Sequence, residues 1–393
     1  LAVGSLGIDS NAGNQLIVSM PLDKKRHEMA VTSCVHLSDH SEPDKDNAFA
    51  DLCKSIKPED VLVINGDLIE FLSSTIWLIK NLMPFKSTNE ELEQITNQIL
   101  DRVILCHKAA FDALKHVKNK IILVGNHDRF LINFKSLRDK LFAAIGPYKI
   151  GLIYEDENLH IEHGDRQDIT PEEVKDVFAV QMISGFWYRM KQNLKEIGKE
   201  KDFRRLFKIL FADIDKVYPR VLLPLYIERL VSQLPLDERK AVIAAWNQSI
   251  ESILIEPCVE EFLKNKPIWS FLFRQGSKLD SGFASFLRSL AMFGFQFGFL
   301  KPDPSEKIAD QAIRKIASLS NKKATIIGHY HQDKLEKDKV GKYLIRSGLW
   351  VNPIRAVKTI IFDEYFDNLL PHFSYILLTL SDGGLTSARI IRS

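Results

Sequence analysis

The stretch Val124-Gly125-Asn126-His127-Asp128-Arg129 places three side chains able to bind a metal or carry a proton directly after a glycine. The preceding run, Ile121-Ile122-Leu123-Val124, is apolar and too short for a helix, which predicts a buried strand. A Gly-Asn-His-Asp tetrapeptide standing alone could equally be a turn, since Gly supplies left-handed backbone and Asn and Asp tolerate it. Four other strand-like runs break into metal-type ligands in the same way. Ala30-Val31-Thr32-Ser33 leads into Cys34-Val35-His36, and Val61-Leu62-Val63-Ile64-Asn65 into Gly66-Asp67-Leu68-Ile69-Glu70. Leu159-His160-Ile161-Glu162 leads into His163-Gly164-Asp165, and Ala324-Thr325-Ile326-Ile327 into Gly328-His329-Tyr330-His331. Five strand ends bearing His, Asp, Asn and one Cys predict a polynuclear metal site at one rim of a sheet.

In this order the blocks resemble the calcineurin-like metallophosphoesterases. That family's pattern runs Asp-x-His, Gly-Asp-x-x-Asp/Glu, Gly-Asn-His-Asp/Glu, His, and Gly-His-x-His. Four blocks match as they stand, at Gly66 to Glu70, Gly125 to Asp128, His163, and Gly328 to His331; in the first, Cys34 stands where the family has Asp. The matching regions are residues 28–167 and 321–350. The resemblance implies an α/β fold, a mixed β-sandwich flanked by helices. It also implies two divalent metal ions (Mn, Zn or Fe) and hydrolysis of a phosphoester or pyrophosphate bond by metal-activated hydroxide. Two such ions, roughly 3.5–4 Å apart, clamp a phosphoryl group and need a bridging carboxylate, for which Asp67 is the candidate. By the family pattern Cys34, His36, Asp67 and His331 would hold the first metal, and Asp67, Asn126, His163 and His329 the second. His127 would stabilise the transition state or protonate the leaving oxygen, with Asp128 orienting its ring. Arg129, Glu70 and Asp165 are substrate-binding candidates; for Glu70 a solvated loop carboxylate is the competing reading. His27, His40, His107, His116, His160 and His372 are assigned surface or packing roles.

Cys34 leaves three readings open. A thiolate beside a cation would ionise and ligate, favouring zinc or iron over magnesium. A buried thiol at a strand end could instead leave coordination to His36 and water. The first metal could also bind weakly, with impaired turnover.

The elements that must position these residues follow from the rest of the chain. Its 393 residues exceed one compact core, so a large domain with an insertion, or two domains, is expected. Hydrophobic content of 45% and charged content of 26% are ordinary for a soluble globular protein, and the net charge of +2 makes no global case for nucleic acid. Four cysteines without Cys-x-x-Cys spacing fit a reducing cytosol better than a disulfide framework, and a cytoplasmic location is expected. Residues 1–27 read as a flexible lead, and its Gly-, Ser- and Asn-rich start has no apolar core of signal-peptide type. No uninterrupted apolar stretch reaches about 18 residues, so no spanning helix is expected.

Residues 28–33 and 60–65 read as strands and 47–56 as a helix between them. Ser87-Thr88-Asn89-Glu90 reads as a capping box opening a helix to about residue 117. Residues 150–154 and 159–163 read as strands around a hairpin-like turn, and residues 343–347, 358–362, 375–380 and 388–391 as the closing strands. The core is therefore placed at 28–167 and 321–393, with a helical insertion, a cap or substrate-binding element, at 168–320.

Within the insertion, residues 186–220 carry ten basic against five acidic residues, interleaved with aromatics. Such a helix can lie on an anionic membrane surface or grip a nucleic-acid backbone, or simply pack its apolar face on the core. Residues 283–300 hold Phe283, Phe286, Phe293, Phe295, Phe297 and Phe299, which could be core or could line an acyl-chain groove. Gly66 to Glu70 and Glu162 to Asp165 are similar to the UDP-2,3-diacylglucosamine pyrophosphohydrolase branch, which also puts acyl-holding helices between these blocks. The departures are a longer insertion, Cys34, and His127 where that branch carries Arg. A phosphorylated small-molecule or lipid-linked substrate is expected, with peripheral membrane contact through the insertion; nucleic acid is the weaker partner. The competing functions are a nuclease or nucleotide phosphodiesterase, and a non-catalytic binding protein degenerate at Cys34.

Overall fold

The computed structural model describes residues 17–19, 27–80, 82, 87–167, 185–196, 217–218, 223–264, 278–279, 304–331, 333–348, 350, 354–360, 363–368, 373–381 and 384–392. The strands are β1 (Ile17–Val18), β2 (His27–Thr32), β3 (Val61–Asn65), β4 (Asn119–Leu123), β5 (Lys149–Gly151), β6 (Ile153–Glu155), β7 (Leu159–Glu162) and β8 (Val217–Tyr218). They continue with β9 (Ala324–Ile327), β10 (Lys334–Lys337), β11 (Tyr343–Arg346), β12 (Ile354–Ile360), β13 (Asp363–Asn368), β14 (Ser374–Ser381) and β15 (Gly384–Arg392). The helices are α1 (Pro43–Ser55), α2 (Thr75–Lys80), α3 (Asn89–Cys106), α4 (Lys108–His116), α5 (Phe130–Asn133) and α6 (Lys135–Ile145). Later in the chain come α7 (Phe186–Glu196), α8 (Leu223–Ser232), α9 (Leu236–Leu254), α10 (Pro257–Lys264) and α11 (Pro304–Leu319).

Two mixed six-stranded sheets run in the orders β15-β14-β2-β3-β4-β5 and β1-β6-β7-β9-β11-β10, and a small third sheet pairs β13-β12-β8. In the first sheet β2 to β5 are parallel, joined by helical crossovers as parallel strands require. The strands of this parallel core are apolar almost throughout, and both of their faces are buried. Met29, Val31, Val61, Val63, Ile121 and Leu123 meet Tyr154, Leu159, Ile161, Ala324, Ile326 and Ile345 of the second sheet in one cluster. On the other face Ala30, Leu62, Ile64 and Ile122 pack with Phe49, Ile99, Phe111 and Leu141 of the helices. Beneath the second sheet, Ala309, Ala312, Ile313 and Ile316 of α11 cover Ile327 and Leu344. The result is a helix–sheet–sheet–helix sandwich, the expected fold class.

Several sequence expectations shift on contact with the structure. The capping box is made one residue later, by Thr88 and Glu91. The helix it opens breaks at His107 into α3 and α4. Residues 150–154 are not one strand: the chain leaves the first sheet at Gly151 and enters the second at Ile153, so a single apolar run serves both sheets. Strands β10 and β13 were not anticipated, because Lys-Leu-Glu-Lys and Asp-Glu-Tyr-Phe-Asp-Asn are too polar to read as strand. Helices α7 to α11 fall in chain order between the fourth and fifth ligand blocks. The phenylalanine-rich residues 283–300, most of the basic stretch 186–220 and most of the lead 1–27 lie outside the described residues. Among the described residues no helix is long and apolar enough to cross a membrane.

Candidate metal centre

The parallel strands β2, β3 and β4 of one sheet and β7 and β9 of the other all deliver their C-terminal ends to one rim of the sandwich. That is where α/β sheets hold ligands. Backbone bonds stitch the rim together: the Cys34 amide donates to the Gly66 carbonyl (3.0 Å), His36 to Asp67 (2.8 Å), and Gly328 to His163 (2.8 Å). Side chains also bridge the sheets. The Asn65 amide donates to the Glu162 carbonyl at 3.0 Å, and the Ser33 hydroxyl lies 3.2 and 3.1 Å from the carbonyls of Ser347 and Gly348.

Backbone conformation marks the same residues. Among the described residues the non-glycine positions with left-handed φ are Cys34 (54°), His36 (49°), Asp67 (55°), His329 (60°) and His331 (56°). Each is a residue whose type and spacing pointed to metal. Such conformations cost on the order of 1–3 kcal/mol apiece and persist where surrounding structure enforces them. Two glycines make the close approach possible. A Cβ on Gly66 would lie 2.1 Å from His163 Nδ1, and one on Gly125 would lie 2.2 Å from Asp67 Oδ1.

The donor atoms converge in three overlapping groups: Cys34, His36 and His331; Cys34, Asp67 and His163; and His36, Asp67 and His127, each with ligand atoms within 4.8 Å of one another. His163 Nε2 lies 3.0 Å and His36 Nε2 3.7 Å from Asp67 Oδ2, while the His127 amide donates to Asp67 Oδ1 at 3.0 Å. His329 joins the His163 side, its ring centroid 5.1 Å from that of His163. Asn126 keeps its side-chain oxygen buried without a hydrogen-bond partner among the described residues, as does Nε2 of His36. Buried acceptors left this way are costly, and a cation is the natural partner for both.

The rings are held from behind. His163 Nδ1 bonds the Asn65 carbonyl at 2.9 Å and His36 Nδ1 bonds Glu70 Oε2 at 3.0 Å, so each turns Nε2 inward, as metal-ligating histidines do. The same Glu70 oxygen lies 2.6 Å from His127 Nδ1. Glu70 is thus buried between two site histidines and is no solvated loop carboxylate. The expected orienter of His127 was Asp128, but both Asp128 oxygens accept backbone N–H groups, from Gly125 at 2.7 Å and Leu68 at 2.8 Å. Asp128 therefore ties the β3 loop to the β4 loop, and Glu70 is the carboxylate that meets the His127 ring. Arg129 and Asp165 form an ion pair at 2.5 Å beside the cluster.

Sequence reasoning missed a further layer. His107 is fully buried, with Nδ1 2.6 Å from Asp46 and Nε2 2.9 Å from the Ser38 carbonyl. Lys45 donates to the His36 carbonyl at 3.2 Å, and Asp39 accepts from Ser74 and from the Thr75 amide. These contacts fix the segment that carries His36, and the only local sign of them is the break in a long helix at His107.

The electrostatics are those of an anion cluster that wants positive charge. Burial, then the charge of Asp67, pushes the Cys34 thiol well up and raises the Asp128 carboxyl to about 7. Burial works against ionised Asp67, yet His163 and His127 hold it well below the carboxylate range. The same pairing outweighs burial at His163 and lifts it to about 9. Glu70 is likewise held low against its burial by His127 and His36. A carboxylate, a thiol, an amide oxygen and imidazoles with inward nitrogens match a divalent metal centre in donor type, and the protons held by Cys34 and His163 would leave as a cation binds.

A family model described as calcineurin-like phosphoesterase matches residues 28–226, just over half of the chain. Among solved structures, a phosphopantetheinyl hydrolase from Mycobacterium tuberculosis aligns over 83% of this chain and 91% of its own, at 12% identity and a TM-score of 0.26. That likeness is too slight to speak to substrate. No curated protein matches the chain, and nothing in the comparisons supports the UDP-2,3-diacylglucosamine branch. On the family match, the chain belongs to the calcineurin-like phosphoesterases and is a metal-dependent phosphoester hydrolase.

Proposed function

We propose that the rim binds two divalent cations and that the protein hydrolyses a phosphoester or pyrophosphate bond of a phosphorylated small molecule. The observation that carries this reading is the overlap of three donor groups around Asp67 and Cys34, in which Cys34, His36, Asp67 and His331 are held in left-handed backbone. Cys34, His36, Asp67 and His331 would hold one cation, and Asp67, Asn126, His163 and His329 the other. Bound there, the pair would supply Lewis acidity toward the phosphoryl group and a hydroxide nucleophile at neutral pH.

The chain's own residues divide the remaining work. Asp67, 1% exposed, contributes negative charge to both positions from the buried side of the site. His127, 13% exposed and fixed through Nδ1 by Glu70, keeps Nε2 for a proton that can pass to the leaving oxygen. Arg129, oriented by Asp165, offers a guanidinium matched to phosphate.

Metal content and turnover of bis-p-nitrophenyl phosphate test this. Wild type should carry about two metals per chain and turn over. Asp67→Asn should lose both properties, while His127→Ala should keep its metals and lose turnover by roughly 10²–10⁴-fold. A wild-type chain that binds one metal or none under metal-replete conditions would sink the proposal.

A further inference from the structure

Cys34 is a donor of a different chemical kind at a position common to two of the three groups. Its Sγ lies within 4.8 Å of the ligand atoms of His36 and His331 on one side, and of Asp67 and His163 on the other. It is fully buried and left-handed at φ 54°, the conformation that Asp67 adopts at φ 55°. The His329 backbone N–H also bonds its sulfur, as expected of a group that carries negative charge when a cation is present. Core packing offers no reason for a cysteine in left-handed backbone among three imidazoles and a carboxylate. The other described thiols sit elsewhere, Cys53 within α1 and Cys106 at the end of α3.

From this placement we infer that Cys34 is a thiolate ligand that makes the site selective for soft divalent ions, zinc or ferrous iron, over manganese and magnesium. The inference rests on the proposed metal centre and deepens it. On loading, the S–H proton is released to solvent and a sulfur–metal bond forms; no electron is transferred. Thiolate donors favour the softer ions, whereas a carboxylate at the same place suits magnesium and manganese.

The test uses the full chain, stripped with chelator and reloaded with Co(II), with binding stoichiometry and absorption read together. Wild type should bind about two Co(II) and show an intense sulfur-to-cobalt charge-transfer band in the near ultraviolet. Cys34→Ser should lose the band. Competition between Zn(II) and Mn(II) should shift toward manganese in Cys34→Asp. Should the variants not fold, zinc-edge X-ray absorption on wild type gives the same answer, a Zn–S shell at about 2.3 Å. Two bound ions with no charge-transfer band and no Zn–S shell would overturn the thiolate inference and leave the metal centre standing. Absence of metal binding by wild type would overturn both.

Discussion

Glu70 gives the sharpest single perturbation. Its Oε2 faces Nδ1 of both His36 and His127, at 3.0 and 2.6 Å, and its Oε1 accepts the Ser73 amide at 2.9 Å. A carboxylate only accepts, so both rings must carry their hydrogen on Nδ1 and present Nε2 elsewhere. In Glu70→Gln one of the two ends becomes a donor. If the amide nitrogen faces the rings, their Nδ1 atoms must accept, Nε2 gains the hydrogen, and His36 can no longer ligate. If it faces Ser73, two donors meet in a site 4% exposed to solvent. Either arrangement leaves a buried polar group unsatisfied, about 1–3 kcal/mol. Support residues of metal sites commonly show losses of that size. The expectation is a fall in kcat/KM of roughly 10–100-fold, with weakened metal retention in the same preparation. Steady-state hydrolysis of bis-p-nitrophenyl phosphate across a metal titration, with circular dichroism to confirm the fold, measures both. A folded Glu70→Gln protein within twofold of wild type in turnover and metal affinity would refute the role assigned to Glu70.

His107→Ala removes the buried ring between Asp46 and the Ser38 carbonyl; it should destabilise the fold by about 3 kcal/mol and reduce metal affinity, read by urea unfolding and metal titration. Unchanged metal binding in a folded variant would show that the His36 segment does not depend on this anchor. Metal-free protein should lose stability as pH rises from about 4 to 9. Asp128 and His163 are both raised in the fold, to about 7 and about 9, so their contribution is complete below their unfolded values and disappears above the folded ones. Asp67 and Glu70 are held low and act in the opposite sense, losing their contribution only as the pH falls below the carboxylate range. Added zinc should abolish the alkaline loss, since cations then replace the protons; thermal melts that are flat or rising over this range without metal would contradict this.

What was legible in the sequence is what is local in it. A short strand-like run that breaks into ligand-type residues reports a buried strand and its C-terminal loop in a few consecutive positions; β2, β3, β4, β7 and β9 are of that form, with a glycine at the break after β3, β4 and β9. The helices read well wherever an apolar stripe or a cap announced them. The contacts that hold the site are of another kind. Glu70 and His127, Asn65 and Glu162, and Ser33 and Ser347 are brought together only by the sandwich, and no spacing rule connects them. Asp128 shows how a motif can mislead: adjacency to His127 suggested that it orients the ring, yet its two oxygens are taken by the backbone amides of Gly125 in its own loop and Leu68 in the loop after β3. His107 had no signature beyond the helix break.

The backbone at the rim bears on what Cys34 means. A degenerate site would be expected to relax, because left-handed residues are held against their own preference and gain free energy when released. Here the position of the substituted donor keeps the same φ as the intact carboxylate Asp67, and His36, two residues on, keeps the same region with its ring still tied to Glu70. The neighbouring amide of His329 is aimed at the sulfur, and the Cys34 amide remains bonded to Gly66. On the thiolate inference, Cys34 supplies a softer donor in the same place with the same charge when ionised, which predicts a site selective for a different cation.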